Sequence, residues 1–106
     1  MPWSPVSKEN FKRILTEEIA ALTPDAARAY EKYATTPYEQ RFWRSSDYGI
    51  ERVFVVAKNG NRLLFFDDVE DEFGVGAPDS DAILRDFGTF GSGSLVTAVL
   101  ALDKTE

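Results

Sequence analysis

Apolar residues recur at helical spacing near the start of the chain. Phe11, Ile14, Leu15, Ile19 and Leu22 share one stripe, with Lys12, Arg13, Glu17 and Glu18 on the other side, the pattern of a helix with one buried face. Ser7 is placed to cap it, after an extended lead-in over residues 1–6 in which Pro2 and Pro5 resist helix. Thr23, Pro24 and Asp25 then read as the cap, first-turn proline and first-turn acid of a second helix. That helix carries Ala27, Tyr30 and Ala34 on one side and ends before Thr35, Thr36 and Pro37.

Further on the period changes. Residues 53–57 and 63–66 are two continuous apolar runs separated by Lys58, Asn59, Gly60 and Asn61. Asn59 and Gly60 predict a two-residue type I′ turn, whose central positions both need positive φ. In the register this turn sets, Phe54 lies opposite Phe65, Val55 opposite Leu64, Val53 opposite Phe66 and Arg52 opposite Asp67. One face then carries Val53, Val55, Leu64 and Phe66; the other carries Phe54, Val56, Leu63 and Phe65. Both faces are apolar, so each needs a cover: helices on one side and a further helix or a second copy of the chain on the other.

Residues 38–43 stay open between a short strand and an irregular segment. A third strand is expected with Val69, Asp71, Phe73 and Val75 on one side and Asp68, Glu70 and Glu72 opposite. A turn cluster follows at residues 77–81, and Ile83, Leu84 and Phe87 suggest a fourth strand. A glycine-rich stretch, residues 88–94, leads into a final helix with Leu95, Val96, Val99, Leu100 and Leu102 as its apolar stripe. The expected fold is a single α+β domain over residues 1–106. It has two N-terminal helices, an antiparallel β-meander of 3–5 strands, a C-terminal helix and a frayed tail from 103. Its expected core is Phe11, Ile14, Leu15, Ile19, Phe54, Val56, Leu63, Phe65, Val99 and Leu100.

Composition narrows the chemistry. The chain has 106 residues, no cysteine and no histidine. Disulfide stapling, thiol catalysis, Cys/His zinc sites and imidazole acid–base work are therefore outside its means. The absence of a basic stretch followed by an apolar run gives no sign of a secretory leader, and no segment is long enough to predict a membrane span. A cytoplasmic location is the resulting expectation. The net charge is −6, and residues 63–106 alone carry −8. This disfavours nucleic acid, which is gripped through its phosphates, and favours basic partners.

The charge is densest where Asp67, Asp68, Glu70, Asp71 and Glu72 place five carboxylates in six residues. Such crowding calls for solvation, pairing or a partner. A protein contact, a divalent-metal site on Asp68, Glu70 and Glu72, paired-carboxylate catalysis and a charge-protected strand edge all fit. The spacing lacks the EF-hand pattern. A second candidate surface interleaves aromatics with arginines: Arg41, Trp43 and Arg44, with Tyr48 nearby. These residue types are enriched at protein hot spots and also stack on bases. The glycine-rich stretch has neither the lysine of a P-loop nor dinucleotide spacing.

In size, charge and layout alone the chain resembles small acidic α+β chains of the kind found among bacterial immunity proteins and uncharacterised accessory proteins. No motif carries that resemblance, so it transfers no residue. The sequence supports a non-enzymatic module that meets a basic protein through Asp67, Asp68, Glu70, Asp71, Glu72, Arg41, Trp43 and Arg44, in the manner of an immunity protein or antitoxin. It calls for no cofactor, metal or catalytic residue, and it leaves a homodimer open. The alternatives are a divalent-metal enzyme or metal-binding protein on the 67–72 carboxylates, or a dimerisation domain without a ligand.

Overall fold

The computed structural model describes residues 8–68, 72–86 and 94–104. Two helices, α1 (Lys8–Ala20) and α2 (Pro24–Tyr33), precede five strands: β1 (Ala34–Ser45), β2 (Gly49–Asn59), β3 (Arg62–Asp67), β4 (Glu72–Pro78) and β5 (Leu84–Asp86). A last helix, α3 (Leu95–Asp103), follows. The α+β class and element order agree with the sequence. The lead-in and Ser7, the hydrophobic positions Val69 and Phe87, and the loop up to Gly93 lie outside the described residues. No helix among the described residues is long and apolar enough to cross a membrane.

The helix signals act locally. The Thr23 hydroxyl accepts from the Ala26 amide at 3.3 Å, and Pro24 occupies the first turn of α2. At the other end of the fold, the Ser94 hydroxyl caps α3 by accepting from the Thr97 amide at 3.3 Å. Glu18 of α1 also reaches that terminus, accepting from the Leu95 amide at 3.1 Å. The exposed donors of α3, which would invite an anion, are thus met by a carboxylate of the chain itself. α2 buries Ala26 and Ala29 rather than a stripe through Ala27 and Ala34; Ala34 already begins β1. α3 continues through Asp103, which accepts from the Tyr33 hydroxyl at 2.9 Å, so residue 103 belongs to the helix rather than to a frayed tail.

The strands form a meander, β1 to β5, but β5 also pairs in parallel with β1 through Phe42 and Leu84. The sheet is therefore mixed, and it closes into a barrel. Closure changes how the two apolar faces are covered. Phe42, Val53, Val55, Leu63, Phe65 and Leu84 pack on one another inside the barrel. Phe54, Val56, Ala57, Leu64, Phe66, Phe73 and Val75 face outward beneath the three helices. Phe11 of α1 stacks on Phe54 with centroids 4.3 Å apart and planes 13° apart. No second copy is needed to shield the inner face, because the sheet shields it itself.

These faces differ from the expected ones, and a β-bulge is the reason. Asn59 pairs with Arg62, so the turn is Gly60 and Asn61, one residue later than expected. Only Gly60 has positive φ, at 65°, which is the pattern of a type II′ turn with glycine first. Pairing then slips between Val55 and Ala57, after which Val55 opposes Phe65 and Phe54 opposes Phe66. Val56 is the extra residue, and it shares the outer face with Ala57. The slip moves Leu63 and Phe65 onto the same face as Val53 and Val55.

Residues 38–43 prove to be part of a long strand. Opposite Val56, residues 35–37 interrupt its pairing: Ala34 pairs with Ala57, and regular pairing resumes at Tyr38 with Val55. Pro37, which lacks an amide proton, falls in this break. The expected third strand through residues 69–75 is also corrected. β3 ends at Asp67 and β4 begins at Glu72, and these two residues face each other. The first and last acids of the run therefore lie on different, paired strands, and residues 69–71 between them lie outside the described residues.

On β4 the inward positions are Gly74 and Gly76. A Cβ at Gly74 would meet the Phe65 ring at 3.0 Å, and one at Gly76 would sit 2.1 Å from the Arg85 carbonyl oxygen. Glycine makes the close approach of β4 and β5 possible. In the turn before β5, the Asp79 carboxylate accepts from the amides of Asp81 at 2.8 Å and Ile83 at 3.1 Å, and pairs with Arg85 at 3.0 Å. Of the expected core, Ile19 and Leu100 are each 37% exposed, since they lie at the edges of their helical stripes, and Ile14 is half-buried. The other seven are buried.

Candidate functional site

Past the apolar filling, strand alternation brings one polar residue from each strand to the same end of the barrel. Arg44 follows Phe42 on β1, Glu51 precedes Val53 on β2, and Asp67 follows Phe65 on β3. Glu72 precedes Gly74 on β4, and Asp86 follows Leu84 on β5. The register places them together: Glu51 is opposite inward-facing Phe42, and Asp67 is opposite Glu72. The result is one cation among four carboxylates.

Arg44 organises the group. Its Nη1 and Nη2 donate to both oxygens of Asp67 at 2.6 and 2.7 Å, and its Nε donates to Glu51 Oε1 at 2.8 Å. The guanidinium lies over the Phe42 ring at 5.2 Å, closing the apolar interior. Asp67 is only 4% exposed. The hydrogen bonds with Asp67, opposed by desolvation and reinforced by Glu51, hold the Arg44 pKa above the usual arginine range. Arg44 is thus a fixed cation held against a buried carboxylate, a bidentate pair that costs stability if either half is removed.

Above this plug lies a cleft of about 360 Å³ between Trp43, Arg44, Tyr48, Asp67, Glu72 and Asp86. Tyr48, in the β1–β2 turn, is 71% exposed, and Ile50, which pairs with Trp43, is 49% exposed. The Arg85 guanidinium stacks on the Trp43 ring at 4.9 Å and holds the indole at the edge of the cleft. Gly49, at φ 71°, completes the turn that presents Tyr48.

The two surfaces nominated from sequence therefore meet, though not every member joins. Trp43, Arg44, Asp67 and Glu72 share the cleft. Arg41 lies elsewhere: its Nη2 donates to the Asp81 carbonyl at 2.8 Å, beside a Gln40 bond to the Ala82 carbonyl at 2.7 Å, and the pair ties β1 to the β4–β5 turn. Asp68 has a buried side chain, 2% exposed, 3.6 Å from Arg52 Nη1. Arg52 in turn lies over Phe54 at 4.6 Å, on the helix-covered face. Glu70 and Asp71 lie outside the described residues. Two of the five acids, Asp67 and Asp68, thus serve internal pairs.

Sequence reasoning misses Glu51 and Asp86 as members of the site. The signal for Asp86 is its two-residue spacing from Leu84, and the signal for Glu51 the same spacing from Val53; both need the correct inward face. Among the described residues, no group of three carboxylates is arranged to hold a metal ion. The cleft sets carboxylates beside aromatic faces, and the Arg44 guanidinium that lines it is engaged by Asp67 and Glu51. That combination suits a cationic side chain with an apolar stem. Comparisons with protein-family models, with curated proteins and with solved structures returned no match.

Proposed function

We propose that this chain is a protein-binding module that receives a basic segment of a partner at the Arg44 end of the barrel. The observation that carries the reading is the joining of aromatic side chains, the exposed Tyr48 and the half-buried Trp43, to the carboxylates Glu72 and Asp86 at one cleft. Aromatics supply contact area at low entropic cost, and carboxylates select lysine or arginine and speed encounter. The −8 carried by residues 63–106 extends the same attraction beyond the cleft. An inhibitor of the immunity or antitoxin kind, docking on a basic protein, is the concrete form of this reading.

The test is affinity capture from the cells that make the protein, with three baits compared by quantitative proteomics. They are the wild type, a cleft variant (Tyr48→Ser, Glu72→Gln, Asp86→Asn) and a control variant neutralised on α2 (Asp25→Asn, Glu31→Gln). Thermal unfolding of each bait checks that it is folded. The wild type and control should retain a basic protein that is released as salt rises, and the cleft variant should lose it by about tenfold or more, the loss expected from ~1.4 kcal/mol of contact. Equal recovery of the same proteins by all three baits would refute the proposal.

A further inference from the structure

A second cavity lies on the opposite flank of β1 from the barrel interior. Residues 35–37 oppose the single residue Val56, so β1 arches away from β2 where Pro37 lacks an amide proton to share. The arch opens a cavity of about 340 Å³ between β1 and α1. That volume is at the lower end of the range used for small ligands. Its floor is the stacked pair Phe11 and Phe54, and Tyr38 forms part of its wall. The Tyr38 phenol is protonated at neutral pH and can donate a hydrogen bond, and partial burial raises its pKa further.

Two opposite charges, Lys12 from α1 and Glu39 from β1, also line this cavity. Both are exposed, and among the described residues neither forms an ion pair with the other or with any third group. An apolar floor with an available cation and an available anion matches a zwitterion with an apolar body. A simple carboxylate would leave Glu39 unmatched, and a simple amine would leave Lys12 unmatched.

We infer that the cavity between α1 and the arched part of β1 binds a free amino acid with an aromatic or large apolar side chain. The side chain lies against Phe11 and Phe54, the carboxylate meets Lys12 and the ammonium meets Glu39. This site is separate from the Arg44 cleft, and its occupation does not depend on the partner proposed there.

The test is a titration of the full chain, labelled with ¹⁵N, followed by amide chemical shifts. The probes are L-phenylalanine, 3-phenylpropanoate, which lacks the ammonium, and phenethylamine, which lacks the carboxylate. Phenylalanine should bind saturably with a Kd on the order of 1 mM, as befits so small a ligand, with shifts concentrated at residues 11–12, 36–39 and 54. Each one-charge analogue should bind about three- to fivefold more weakly, the scale of one exposed charge pair. Lys12→Gln should abolish the preference over phenethylamine, and Glu39→Gln the preference over 3-phenylpropanoate; both positions are exposed, so both variants should fold. No saturable shift up to the solubility limit would overturn the inference. So would shifts centred elsewhere, or equal binding of all three probes.

Discussion

Gly76→Ala should be among the most damaging single-methyl additions in this fold. The new Cβ would lie 2.1 Å from the Arg85 carbonyl oxygen, 2.9 Å from its carbon and 3.1 Å from Leu84 Cδ1. The first two contacts are backbone, and the flanking strands are already at hydrogen-bonding distance, so no rotamer change relieves them. The Arg85 carbonyl must retreat by about 1 Å or more, which the hydrogen bonds of a paired strand do not survive. Among the described residues, β4 and β5 meet over three residue pairs. Losing their bonds at about 1 kcal/mol each, with ~1–3 kcal/mol of overpacking, outweighs the ~0.4–1 kcal/mol gained by restricting the unfolded chain. A net loss of about 3 kcal/mol lowers Tm by roughly 12–24 °C for a domain of this size. Gly74→Ala is the control: its Cβ would meet the tip of the Phe65 ring at 3.0 Å, and a ring can tilt. Its cost should be nearer ~1 kcal/mol. Urea and thermal unfolding followed by circular dichroism measure both. If Gly76→Ala is no more destabilising than Gly74→Ala, the close β4–β5 approach is wrong.

Removing Arg44 alone, as Arg44→Met, should cost about 3–5 kcal/mol, because it leaves Asp67 buried without its cation. Adding Asp67→Leu should recover most of that loss, and a double-mutant cycle in urea that came out additive would contradict the pairing. Asp79 is held below its ordinary value of 3.8, first by the Ile83 amide, then by the Asp81 amide and Arg85. A depressed native pKa gives stability that is present above the unfolded value and is lost as pH falls through the native value. Asp79→Ala should therefore lower Tm at pH 7, and the gap to wild type should begin to close below pH 3.8. A gap that stays constant into strong acid would remove the carboxylate from this role.

The helices and the meander were legible because their signals are local: Thr23 and Pro24 start α2, and Gly60 marks a reversal whichever neighbour shares the turn. The register was less legible. Gly60 and Asn61 rather than Asn59 and Gly60 form the turn, and Val56 is inserted without any composition cue. A one-residue slip is enough to exchange the faces of Leu63 and Phe65 for those of Leu64 and Phe66. Closure was illegible for a related reason. Gly74 and Gly76 read as ordinary strand weakeners until Phe65 and Arg85 are seen to occupy the space their side chains would take. The acidic run was correctly singled out as dense, yet its first two members are internal. Asp67 is claimed by Arg44, which is distant in sequence, and Asp68 lies against Arg52; such long-range pairing leaves no periodic trace.

The Arg44 cleft exists because β5 returns to β1, placing Asp86 and Glu72 around the same opening as Trp43 and Tyr48. The most direct test is therefore the measurement of interstrand amide and α-proton NOEs in the labelled chain. A closed barrel predicts contacts between Phe42 and Leu84 in the parallel pattern, together with antiparallel contacts between Gly76 and Asp86. Contacts from β5 to β4 with none to β1 would mean an open sheet. Val53, Val55, Leu63 and Phe65 would then lose the shielding of a closed interior, and the cleft would not be assembled.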